Sequence, residues 1–219
     1  MITITYDTSV NNNVKTSEKD FSDEVDRILN DPRGWLKYGY KFIRAVASQL
    51  HFQIRLETGE IANTLCHANG LSCARPSLNS IIIHEGNWNG NSKSQLPLKK
   101  YHNYVICHEV GHLLGLPHKQ CPIAECRRRG MKECPASIMQ QMTLGPAAIS
   151  PCIENDWPLD PNWDIDIPPN SHLKSGGFGA RGSSSKLYNS QFICFTVILV
   201  LIVIFIFYQI SYKVLDEVL

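Results

Sequence analysis

Apolar and polar residues alternate from Ile2 to Tyr6, the two-residue period of a half-buried strand. The polar stretch from Val10 to Ser17, with Asn11-Asn12-Asn13 at its centre, reads as a loop. Phe21, Val25, Ile28 and Leu29 then recur at helical spacing, with Ser17 or Ser22 as caps and Asp31-Pro32-Arg33-Gly34 as the stop. Tyr40 to Val46 and Phe52 to Leu56 predict two more strands, and Gly59 to Leu65 a short helix. Ser80 to His84, built on Ile81-Ile82-Ile83, predicts a short buried strand. Tyr101 to Leu114 predicts the longest helix, and little beyond it is regular. Sheet, then helix, then loops predicts an α+β fold with a mixed twisted sheet and an irregular lower subdomain.

The pattern changes sharply at the end. Phe192 to Tyr208 carries no charge. At about 1.5 Å per residue this run reaches roughly 25 Å, the short end for a bilayer core. Ile210 extends it, Tyr208 and Tyr212 suit an interface, and Lys213 can snorkel. Pro158 to Gln191, with Pro168-Pro169, Gly176-Gly177 and Ser183-Ser184-Ser185, reads as a linker or stalk. The expected organisation is a folded domain over 1–160, a linker over 161–191, a transmembrane helix over 192–210 and a tail over 211–219. Met1 to Val14 lacks a basic stretch followed by an apolar run, so no secretory signal is expected, and with no long segment ahead of the domain no latency pro-peptide is expected either. A single-pass protein with a C-terminal anchor follows.

The chain has 219 residues and a net charge of +1, which fits one globular domain plus a tail. No basic stripe points to nucleic acid, and nothing in the pattern sets an oligomeric state. Of its 8 cysteines, Cys194 lies in the apolar run and Cys107 reads as a buried thiol. The others allow 15 connectivities, among which Cys66–Cys73, Cys121–Cys152 and Cys126–Cys134 are the plausible pairs. Such a density favours an oxidising compartment. Lys174, Arg181 and Lys186 before the apolar run weakly favour the cytoplasmic side for the large domain. The two signals oppose each other and leave the side of the membrane open.

The chemistry is concentrated in one stretch. Residues 108–118 read His-Glu-Val-Gly-His-Leu-Leu-Gly-Leu-Pro-His, the pattern H-E-x-x-H-x-x-G-x-x-H. Chance produces it in roughly one in 30,000 chains of this composition. Residues four apart on a helix share a face, so His108 and His112 can present two imidazoles to one ion. Gly115 permits a sharp turn out of the helix, Pro117 discourages its resumption, and the turn returns His118 as third ligand. Three protein ligands and a water are the arrangement of a catalytic Zn²⁺ site. Glu109 stands beside the metal rather than on it, placed to take a proton from the ionising water.

These residues resemble the metzincin clan of zinc metallopeptidases. Ser137-Ile138-Met139 stands where the clan's Met-turn would lie. The resemblance implies a zincin-like fold, one Zn²⁺ ion, a cleft, and Met139 as a hydrophobic floor beneath the metal. Asp31-Pro32-Arg33-Gly34-Trp35, Ser72-Cys73, His118 to Pro122, Met139-Gln140-Gln141 and Trp157-Pro158 also resemble a metzincin-like bacterial family of unknown function, over about residues 20 to 160. That family is seen mostly in exported or membrane-attached proteins. The chain departs from it in an insertion over residues 123 to 135 carrying two cysteines, in Cys107 where Asn is expected, and in an anchor at the opposite end.

The resemblance further makes His84 and Glu85 candidates to line the cleft. His51, His67, His102 and His172 have no partners at ligand spacing and read as surface or structural residues. Arg127-Arg128-Arg129 reads as a solvated loop. The expected function is a membrane-anchored zinc metallopeptidase acting on a peptide or protein substrate through a zinc-bound water and Glu109. A non-catalytic zinc-stabilised binding module and a zinc hydrolase of non-peptide amides are the alternatives.

Overall fold

The computed structural model describes residues 1–45 and 50–169. Its centre is a five-stranded sheet of β1 (Ile2–Val10), β2 (Tyr40–Arg44), β3 (Phe52–Glu57), β4 (Cys73–Arg75) and β5 (Ser80–His84), in the order β2-β1-β3-β5-β4. The first four in that order run parallel, and β4 pairs antiparallel with β5 at the edge. Parallel neighbours need crossover connections. The helix α1 (Glu18–Leu29) lies between β1 and β2, and α2 (Gly59–Cys66) lies between β3 and β5. Strands and helices therefore interleave through the first half of the chain, closer to an α/β order than to the segregated layout the pattern suggested. The sheet is mixed, as expected.

The expected elements form for the expected reasons. Ile4, Tyr6 and Thr8 alternate into the core along β1. Ser17 caps α1 by accepting the Asp20 backbone N–H at 3.0 Å, and Phe21, Val25, Ile28 and Leu29 are all buried. Ile81, Ile82 and Ile83 are fully buried because β5 is covered on both faces. Strand β1 runs on to Val10, past the expected end at Tyr6. Strand β4 was not anticipated, since three residues carry no usable period.

The long helix α3 (Leu98–Leu113) packs on α1 and on the β4–β5 side of the sheet. Trp35 Nε1 donates to the Cys107 carbonyl at 3.1 Å, and Tyr104 Oη donates to the Gln140 carbonyl at 3.1 Å. Cys107 is a buried free thiol, its pKa pushed up by that burial. Beyond α3 lie α4 (Ile123–Arg128) and α5 (Pro146–Ile149), with loops and short turns around them.

Three disulfides join Cys66–Cys73, Cys121–Cys152 and Cys126–Cys134, the pairs the spacing singled out. Arg127 and Arg128 belong to α4 rather than to a loop, and Glu125 pairs with Arg128 and Arg129. The packed region also passes the expected boundary at 160, because Asp166 is fully buried. Among the described residues no helix is long and apolar enough to cross a membrane. The expected transmembrane run at 192–210, the tail beyond it, His172 and most of the linker lie outside the described residues.

Candidate metal centre

Helix α3 carries His108 and His112 one turn apart, and the chain leaves it through Gly115 at φ 92°. The Gly115 N–H bonds to the His112 carbonyl and the Leu116 N–H to the Gly111 carbonyl, both at 3.0 Å. This turn brings His118 back against the helix. His112 Nε2 lies 3.2 Å from His108 Nε2 and 3.2 Å from His118 Nε2. Nitrogens about 2.0–2.1 Å from a tetrahedral Zn²⁺ stand roughly 3.3–3.4 Å apart, so the spacing fits one such ion.

The outer nitrogens settle what the inner ones can do. His108 Nδ1 faces the Ile138 carbonyl at 2.8 Å, and His112 Nδ1 faces the Leu116 carbonyl at 2.8 Å. A carbonyl only accepts, so both Nδ1 atoms carry the hydrogen and both Nε2 atoms present a lone pair. Lone pairs 3.2 Å apart repel unless a cation lies between them. A shared proton is a poor candidate near neutrality. Burial, then the neighbouring His112, push the His108 pKa down to about 3. Burial also lowers those of His112 and His118. Neutral imidazole nitrogens in this array are the donor set Zn²⁺ takes.

Glu109, next on the helix, is 4% exposed. Its Oε2 has no hydrogen-bond partner among the described residues. Burial pushes its pKa up to about 8, with the Ala74 backbone hydrogen bond opposing the rise. A divalent cation nearby favours the ionised carboxylate and works in the same direction as Ala74. The three histidines and Glu109 line a cleft of about 410 Å³ whose walls also include Ser72, Cys73, Ala74, Tyr104, Gln141 and Thr143.

Met139 is fully buried beneath the helix. A Cβ on Gly111 would lie 2.4 Å from Met139 Sδ, so the two residues are in direct apposition.

A sequence profile described as "Protein of unknown function (DUF3152)" matches residues 2–159. The chain belongs to this family. No curated protein matches the chain. The DUF3152 match spans all five strands, α3, and every residue of the histidine array.

The structure brings His108, Glu109, His112, His118, Gly115 and Met139 into one place. His84 and Glu85 do not line the cleft, which corrects the expectation for them. The His84 ring turns onto the backbone, its Nδ1 accepting the Gly86 N–H at 3.1 Å. Part of the cleft wall comes instead from β4 and the residue before it, a strand the pattern had missed. His51, His67 and His102 are structural, as expected. His51 Nδ1 accepts the Thr5 N–H, His67 ends α2 in a left-handed conformation, and His102 stacks on Trp88. Cys121, Cys134 and Cys152 also cluster, but two adjacent disulfides account for them, and a bonded sulfur offers no thiolate.

Proposed function

We propose that this protein is a zinc-dependent peptidase of metzincin-like, zincin-type fold, held to a membrane by the apolar run after its folded domain. One observation carries the reading. His112 Nε2 stands 3.2 Å from both His108 Nε2 and His118 Nε2, all three ligand atoms lie within 4.8 Å of one another, and two of the rings are fixed from behind by backbone carbonyls. His108, His112 and His118 would hold one Zn²⁺ ion. The ion supplies Lewis acidity, which lowers the pKa of a coordinated water towards neutrality and polarises a substrate carbonyl.

The chain's own residues supply the rest. Glu109 Oε2, unpartnered and buried, takes a proton from the attacking water and delivers it to the departing amine. Tyr104, itself buried, forms part of the cleft wall, and a charge beside such a wall is less screened than one in open water. The three disulfides favour a domain on the oxidising side of the membrane.

The test is metal content and cleavage of a peptide library by the purified chain, alongside Glu109→Gln. The expected result is one zinc per chain in both proteins and hydrolysis only in the wild type. Equal cleavage by the variant refutes the role of Glu109. Bound zinc with no turnover of peptides or simple amides would make the protein a zinc-stabilised binding module.

A further inference from the structure

Asp166 lies seven positions beyond the end of the DUF3152 match, yet its side chain is fully buried. Its carboxylate turns its contacts onto the turn that carries Met139 and the strand of chain beside it. Oδ1 accepts the Ser137 hydroxyl at 2.5 Å, and Oδ2 accepts the Ile138 N–H at 3.2 Å and the Leu159 N–H at 2.8 Å. Ser137 Oγ in turn accepts the Met139 N–H at 3.1 Å. The same turn supplies the Ile138 carbonyl to His108 Nδ1, while the Met139 carbonyl accepts the Lys119 N–H beside His118. One carboxylate thus fixes the peptide units that orient the first metal ligand and anchor the arm of the third.

We infer that Asp166 is a positioning residue for the metal centre: it locks the Ser137–Met139 turn so that the Ile138 carbonyl holds His108 with Nδ1 protonated and Nε2 aimed at the ion. This rests on the metal-site reading above and adds a residue that lies outside the family match. The segment around residue 166 is then part of the site rather than the start of a tether. Removing an outer partner of a ligating histidine typically weakens metal binding about 10–100-fold.

The experiment compares the full chain with Asp166→Ala, Asp166→Asn and Ser137→Ala. Two quantities are read. One is the Zn²⁺ dissociation constant, by competition with a chromophoric chelator. The other is the His108 tautomer in metal-free protein, by long-range ¹⁵N–¹H NMR. Asp166→Ala should bind zinc about 10–100-fold more weakly and lose the single Nδ1–H tautomer. Asp166→Asn should stay within about threefold, because its carbonyl can accept the two N–H groups while its amide donates to Ser137 Oγ. A merely structural role predicts no such rescue and no tautomer change. Should Asp166→Ala fail to fold, Ser137→Ala decides, with about tenfold weaker binding expected. Zinc affinity within about threefold of wild type, together with an unchanged tautomer, in Asp166→Ala or in its substitute Ser137→Ala overturns the inference. If the wild type binds no zinc, the functional reading falls, and the tautomer comparison still decides whether Asp166 orients His108.

Discussion

Gly111→Ala separates a site built on close apposition from an ordinary helix that happens to carry histidines. In an exposed helix interior, alanine is favoured over glycine by about 1 kcal/mol. At Gly111 the added methyl would sit 2.4 Å from Met139 Sδ, 3.1 Å from Trp35 Cζ2 and 3.2 Å from Met139 Cε. Neither neighbour yields easily. Met139 and Trp35 are buried at 0% and 1% exposure, and the indole is further held by its bond to the Cys107 carbonyl. Overpacking of this kind costs about 1–3 kcal/mol. Set against the helical gain, the net loss should be up to about 2 kcal/mol, a fall in Tm of up to roughly 8 °C for a domain of this size. Because Met139 follows the carbonyl that holds His108, zinc affinity should fall as well. The assay is thermal and denaturant unfolding with and without zinc, for Gly111→Ala, Met139→Ala and the double variant. Met139→Ala opens space where the methyl needs it, so the pair should be strongly non-additive, with the added methyl less harmful in the Met139→Ala background than in the wild type. A Gly111→Ala protein more stable than wild type, or additive effects in the double variant, would refute the apposition.

Three further outcomes are expected. Gly115→Ala forces a Cβ into a backbone with φ 92°, so it should cost about 1–2 kcal/mol and weaken zinc binding by displacing His118; unchanged zinc affinity in a calorimetric titration would contradict this. Replacing Cys66 and Cys73 by Ser opens a loop with a sequence separation of 7, worth about 2–3 kcal/mol of chain entropy, and frees the β4 wall beside Glu109; a peptidase rate as high as wild type would count against β4 as a working wall of the cleft. Burial, followed by the hydrogen bond to Asp26, raises the Tyr6 pKa, and burial, followed by Asp166, raises that of Tyr38. The folded state then keeps protons that the unfolded state releases, so stability should be full below about pH 10 and fall above it. Tyr6→Phe should lose about 1 kcal/mol at neutral pH and decline less steeply in alkali; an unchanged alkaline slope in urea unfolding would refute the assignment.

Legibility followed the kind of force that orders each segment. Where burial of apolar side chains decides, the pattern was sufficient: β5 and the inner face of α1 appear where the periods place them. It stopped short at β1 because Thr8 is polar yet points inward, 5% exposed. It missed β4 because that strand is defined by its partners, the β5 ladder on one side and the Cys66–Cys73 bond at its first residue. Residues 161–169 looked like tether because Pro168-Pro169 leads into the Gly- and Ser-rich run that follows. Asp166 is nonetheless buried by hydrogen bonds, an ordering force that hydrophobic periodicity does not register.

The candidate site divides along the same line. Its inner residues were legible because their chemistry demands particular side chains: only histidine supplies a neutral ring nitrogen at 108, 112 and 118, only a carboxylate can act at 109, and positive φ at 115 favours glycine. The groups that aim these side chains are main-chain carbonyls, at Ile138 and Leu116, and a carbonyl leaves no trace in residue identity. Their positions depend on whatever fixes the local backbone: Gly115 for one, and Asp166 with Ser137 for the other. The precision of the candidate metal centre is therefore held partly by residues whose types suggest nothing about metal, and a variant at Asp166 is expected to disturb it more than one that trims the side chain of Ile138 itself.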